Sequence, residues 1–141
     1  MQPEAATGEA SIRGLHLLLA EDNELNAEIA ARLLNDEGAT VQVVRDGQQA
    51  IDAFASRPQG TYDAILMDIM MPKIDGYTAT RVIRSTNRQD AKAIPIIAMT
   101  AHVFDEDVKQ CLEAGMNAHL PKPLQMEMVV STIARLCKRK K

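Results

Sequence analysis

The sequence predicts an α/β fold, a doubly wound sheet of five parallel strands with helices on both faces. Two observations carry that expectation. Short apolar runs alternate with amphipathic stretches five times along the chain. Most of the runs are continuously apolar rather than alternating, as in parallel strands covered on both sides.

The elements follow in order. Leu15 to Ala20 (LHLLLA) reads as a buried strand. Leu25, Ile29 and Leu33 then repeat every four residues, with Asn26, Glu28 and Arg32 off that stripe, which predicts a helix laying those three residues on the core. Gly38 is placed to close it. Thr40 to Val44 is a β-branched, alternating strand, and Gln48 to Ser56 is a short helix carrying Ile51 and Phe54. Pro58, Gln59 and Gly60 break the chain before the strand Ala64 to Asp68. A loop from Met71 to Gly76 leads into a helix over Tyr77 to Arg84. Ile94 to Met99 is the fourth strand, with its proline at the tolerated strand start. A helix over Asp105 to Ala114 ends at Gly115, Ala118 to Leu120 is a brief fifth strand, and Gln125 to Cys137 is the last helix, with Met126, Val130, Ile133 and Cys137 on its stripe.

Composition sets the bounds. The chain has 141 residues, 46% apolar and 25% charged, which suits one domain with an ample core. The expected division is a flexible segment over 1–13, the domain over 14–138 and a basic tail over 139–141. A net charge of −3 gives no drive toward nucleic acid or anionic lipid. The N-terminus has neither the basic start nor the apolar stretch of a signal peptide, and no apolar run approaches the length of a membrane span. A cytoplasmic location is therefore expected, with Cys111 and Cys137 as reduced core thiols.

Polar residues fall at the strand ends. Glu21 and Asp22 follow the first strand, Asp68 ends the third, Thr100 follows the fourth and Lys122 the fifth. Ligands of open parallel sheets bind beyond the carboxyl ends of the strands, so these five residues are expected to gather there. Three clustered carboxylates repel one another and raise one another's pKa unless cations offset them. Lys122 supplies one charge and a divalent metal would supply more. All-oxygen ligands suit Mg²⁺ or Mn²⁺, and the dispersed His16, His102 and His119 do not suggest zinc. A carboxylate attacking phosphorus gives an acyl phosphate, helped by a metal, an ammonium and a hydroxyl donor. Asp68, Asp22 with Glu21, Lys122 and Thr100 match those roles. Singly, each has an ordinary explanation. Glu21 and Asp22 would charge a helix start capped by Asn23, Asp68 would open a turn, Thr100 would cap, and Lys122 would be a loop lysine between Pro121 and Pro123.

Leu19-Ala-Glu-Asp-Asn23, Ile65-Leu-Met-Asp-Ile-Met-Met-Pro72, Asp75-Gly76, Ile96-Ile-Ala-Met-Thr-Ala101 and Lys122-Pro123 together resemble the response-regulator receiver family of two-component signalling, from about Gly14 to Cys137. The opening EDNELN and the stretch MPKIDGYTAT look most like receivers attached to hybrid histidine kinases. The resemblance implies a flavodoxin-like sheet of order 2-1-3-4-5. It implies Asp68 as the phosphorylated residue, and a metal held by Asp22, Asp68 and the Met70 carbonyl, with Glu21 acting through metal-bound water. It implies Thr100 as a switch hydroxyl and Lys122 as the phosphoryl-binding lysine, joined to Pro123 by a cis peptide. His119 occupies the switch position where Tyr or Phe is commoner, a slot that a surface-rim histidine can simply fill. Met70 and His102 occupy the positions that modulate how water reaches the acyl phosphate. The partner implied is a histidine kinase or histidine phosphotransfer domain. Phosphorylation would alter the face of the fourth helix, fifth strand and fifth helix.

Two other readings compete. An aspartate-nucleophile phosphatase shares the Asp, Mg²⁺, Thr and Lys, but usually carries a second aspartate two residues after the nucleophile, where this chain has Met70. An inactive interaction module is the third reading, and Mg²⁺ binding discriminates against it.

Overall fold

The computed structural model describes residues 11–101 and 105–138. Five strands form one parallel sheet: β1 (His16–Ala20), β2 (Thr40–Val44), β3 (Ala64–Asp68), β4 (Ile96–Thr100) and β5 (Ala118–Pro121). Their order is β2-β1-β3-β4-β5, the order the resemblance implies. The helices among the described residues are α1 (Glu24–Asp36), α2 (Gly47–Ala55), α3 (Gly76–Ser85), α4 (Gln89–Ala93), α5 (Asp105–Ala114) and α6 (Met126–Lys138). The fourth and fifth helices expected from the sequence are thus α5 and α6.

Alternate residues of each central strand point to opposite faces, which is why the continuous apolar runs are needed. Leu18, Ile65, Met67, Ile96 and Ala98 join a core with Phe54 of α2, Ile83 of α3 and Cys111 of α5. Leu17, Leu19, Leu66, Ile97 and Met99 join the other core, with Leu34 of α1 and Val130 and Ile133 of α6. Ile12, at the end of the expected N-terminal segment, is fully buried in that second core. Residues 1–10 and 139–141 lie outside the described residues.

Local signals set the helix limits. Asn23, Asp46 and Asp75 cap α1, α2 and α3, each side chain accepting a hydrogen bond from a backbone N–H three residues on. Past α1, Gly38 takes a left-handed conformation (φ 97°), while Gly38 N–H donates to Asn35 O and Ala39 N–H to Leu34 O. That pattern satisfies carbonyls the helix leaves open.

Two expectations need correction. The core face of α1 is Ala27, Ala30 and Leu34, and the stripe expected there is largely outside. Leu25 is 64% exposed, Ile29 49% and Leu33 36%. Small alanines let the helix approach the sheet closely, so the larger side chains flank the contact instead of filling it. The second correction is α4, five residues with one buried position (Ala91), which precedes β4 and moves its start from Ile94 to Ile96.

Candidate functional site at the carboxyl edge of the sheet

β1 sits between β2 and β3, so the strand order reverses there and a crevice opens beyond the carboxyl ends of β1 and β3. Glu21 N–H donates to Val44 O (3.0 Å), tying the end of β1 to β2. The Glu21 carboxylate accepts from Asn23 N–H (3.1 Å) and is buried, while Asp22 is exposed. The turn that caps α1 therefore also presents the acidic pair, so a capping role and a site role do not exclude each other.

Asp68 ends β3 and is buried. Its Oδ1 accepts from Met70 N–H (3.2 Å), and its Oδ2 accepts from Lys122 Nζ (3.0 Å). Lys122 Nζ also lies 3.1 Å from Glu21 Oε1. The lysine is held by its own backbone, whose N–H donates to Thr100 O (2.8 Å), and its peptide bond to Pro123 is cis. One ammonium thus bridges carboxylates from two strand ends.

Burial lifts the Asp68 carboxyl from 3.8 to about 6; Glu21 adds to the lift, and the Lys122 hydrogen bond and charge oppose it. Burial draws the Lys122 ammonium down, but its hydrogen bonds to Asp68 and Glu21 outweigh that and hold its pKa above the ordinary value. One carboxylate oxygen each from Glu21, Asp22 and Asp68 lie within 4.8 Å of one another. Three carboxylates against one ammonium leave the cluster net negative, and all donors are oxygen. These residues fit a hard divalent cation.

Thr100, at the end of β4, is buried. His119 is half-buried on β5, opposite Ala98. The Met70 side chain is 70% exposed and offers no acid. His102 lies outside the described residues. The sequence reading missed a groove of about 400 Å³ between α1 and the segment after β5, bounded by Glu21, Ile29, Leu33, Lys122 and Leu124. Its signal was the i, i+3, i+7 spacing of Ala27, Ala30 and Leu34, a second stripe that turns Ile29 and Leu33 toward this groove. Cys111 is buried and Cys137 half-buried, neither joined in a disulfide, and no helix among the described residues is long and apolar enough to cross a membrane.

A parallel sheet of this order, with acidic groups ending β1 and β3 and a lysine after β5, defines the class of receiver domains. The chain belongs to the response regulator receiver domain family, whose model matches residues 17–134. It is similar to Histidine kinase 1 of Arabidopsis thaliana, 38% identical over 160 residues, an alignment covering 92% of this chain and 13% of the kinase. The chain thus spans about an eighth of that relative's length. Among solved structures, it resembles the receiver domain of sensor histidine kinase PA1611 from Pseudomonas aeruginosa PAO1, which has a magnesium ion coordinated in its active-site cleft. That similarity is 40% identity and a TM-score of 0.79, covering 89% of this chain and 98% of that one. It also resembles a chain in the complex of the Saccharomyces cerevisiae histidine phosphotransfer protein Ypd1 with the receiver domain of its response regulator Ssk1. There the identity is 25% and the TM-score 0.79, covering 89% of this chain and 90% of that one.

Proposed function

We propose that this domain accepts a phosphoryl group on Asp68 from a phosphohistidine of a histidine kinase or histidine phosphotransfer domain, within a phosphorelay. The observation that carries it is the Lys122 bridge between Asp68 and Glu21, next to Asp22, at the crevice between β1 and β3. An Asp68 carboxylate oxygen attacks phosphorus, the P–N bond breaks, and its electron pair returns to the imidazole of the donor, which takes up a proton. Lys122 then turns from Asp68 to a phosphoryl oxygen, and the Thr100 hydroxyl donates to another.

Mg²⁺, with Mn²⁺ as a substitute, would be held by Asp22, Asp68 and the Met70 carbonyl, with Glu21 acting through bound water; when present it neutralises phosphoryl charge. The rearrangement of Thr100 and His119 is expected to alter the face of α5, β5 and α6. The exposed, apolar Met70 side chain supplies no general acid two residues past Asp68, which favours a stored acyl phosphate over phosphatase turnover. A cytoplasmic setting fits this chemistry, and the similarity to Histidine kinase 1 supports a receiver borne by a hybrid kinase.

Incubation with Mg²⁺ and acetyl phosphate is expected to give one phosphoryl adduct by intact mass, absent without metal and absent in Asp68→Asn. A full adduct on Asp68→Asn, with no neighbouring carboxylate or hydroxyl shown to substitute, would remove Asp68 from this role.

A further inference from the structure

We propose that Gly47 is a positioning residue for this chemistry: its missing side chain lets the start of α2 brace the loop that follows Asp68. The inference rests on the reading of Asp68 and the Met70 carbonyl given above. Gly47 is the first residue of α2, directly after the cap Asp46. A Cβ there would lie 2.3 Å from the Ile74 carbonyl oxygen and 2.9 Å from Ile74 Cβ. Gly47 does not sit in the left-handed region that favours glycine, so what demands glycine is space. The atom in the way belongs to the backbone and cannot swing aside as a side-chain tip would.

The loop between β3 and α3 is tied at both ends. Ile69 N–H donates to Met99 O (3.2 Å), and Gly76 N–H donates back to Ile69 O (2.9 Å). Ile69 and Met71 are buried in the core that contains Phe54 of α2, and Ile74 packs against it. Lys73 has φ 69°, a costly conformation for a residue with a side chain, and its Nζ lies 3.7 Å from Asp46 Oδ2. Residues 69–76 therefore form a closed turn resting on Asp46 and Gly47, with Met70 at its near end, beside Asp68. A methyl at position 47 requires roughly 1 Å of movement to restore ordinary contact. Mg²⁺ demands near-ideal octahedral geometry, and losing a group that holds a ligand in place costs roughly 10- to 100-fold in metal affinity.

The test compares Gly47→Ala with wild type and with Gly38→Ala. The control strains a left-handed glycine between α1 and β2, at the opposite edge of the sheet. Two quantities are read: the Mg²⁺ dissociation constant by calorimetry, and amide hydrogen exchange of residues 69–75 in metal-free protein. Gly47→Ala is expected to raise the constant roughly tenfold or more and to speed exchange in the loop, while Gly38→Ala leaves both within about twofold. If Gly47→Ala does not fold, Ile74→Gly replaces it, with the same expectation, because it loosens the loop where it meets Gly47. A folded variant whose Mg²⁺ affinity and loop exchange match wild type overturns the brace. If wild type itself takes no Mg²⁺, the metal assignment fails separately, and loop exchange alone decides: faster exchange supports the brace and unchanged exchange overturns it.

Discussion

Lys122 satisfies Asp68 and Glu21 at once, so the two carboxylates and the ammonium behave as one unit. The Asp68 carboxyl is lifted from 3.8 to about 6, chiefly by burial. Between those values the folded protein keeps a proton that the unfolded chain has released. Metal-free stability is therefore expected to fall as pH rises through that window and to level above it. The full linkage of such a lift is about 3 kcal/mol. Asp68→Asn removes the buried charge, so its urea midpoint in EDTA is expected to stay flat across the window. Its stability should exceed wild type by about 1–3 kcal/mol at neutral pH. A wild-type midpoint that climbs through the window contradicts the sign. Lys122→Ala reads the same cluster from the other side. It leaves two buried carboxylates without their cation, so metal-free stability is expected to fall. Mg²⁺ is expected to bind more tightly, having lost a competitor, while the rate of phosphoryl uptake at saturating Mg²⁺ falls about 100- to 1,000-fold. Parallel losses in binding and uptake would show that Lys122 only holds the site together.

At the scale of the element, α1 does two things. Its Ala27, Ala30 and Leu34 face pins the helix to the sheet, and its Ile29 and Leu33 line the groove that shares Glu21 and Lys122 with the site. Under the proposed function, a protein donor reaching Asp68 past Glu21 and Lys122 is expected to lie over that groove, whereas a small phosphodonor need not. Ile29→Glu is expected to slow transfer from a phosphohistidine protein at least roughly tenfold. Uptake from acetyl phosphate should stay within about twofold, and stability within about 0.5 kcal/mol, as for an exposed position. Equal slowing with both donors would place the effect inside the site instead. This helix also marks where the sequence was misleading. Helical period alone does not say which of two stripes faces the sheet, and Leu25, Ile29 and Leu33 looked the more apolar. The alanines win because closeness of approach, not side-chain size, decides a helix–sheet contact. The helix α4 was missed for a related reason: five residues with one buried alanine carry too little periodicity to register. The strands were legible because β1, β3 and β4 must be apolar on both faces, a pattern few other environments demand.

At the scale of the molecule, the strand order explains why the residues that gather at the carboxyl edge could be picked out before the structure was seen. Each lies one or two positions from the end of an apolar run, and a parallel sheet carries all such ends to one edge. The brace at Gly47 was not visible, because a contact between residues 47 and 74 leaves no periodic trace. Asp22 and Asp68 stand on the two banks of the β1–β3 crevice, so a cation held by both ties together separate parts of the fold. Binding to the folded state alone stabilises by mass action, by about 2.7 kcal/mol when Mg²⁺ reaches 100 times its dissociation constant. Protons compete with the metal for Asp68, whose carboxyl is lifted to about 6. The gain in melting temperature from EDTA to saturating Mg²⁺ is therefore expected to be larger at pH 7.5 than at pH 5. Asp68→Asn should lose most of that gain at pH 7.5, because it removes a charged ligand. An increment independent of pH and equal in the two proteins would mean that the cation binds elsewhere on the acidic surface, and the crevice would lose its role as the metal site.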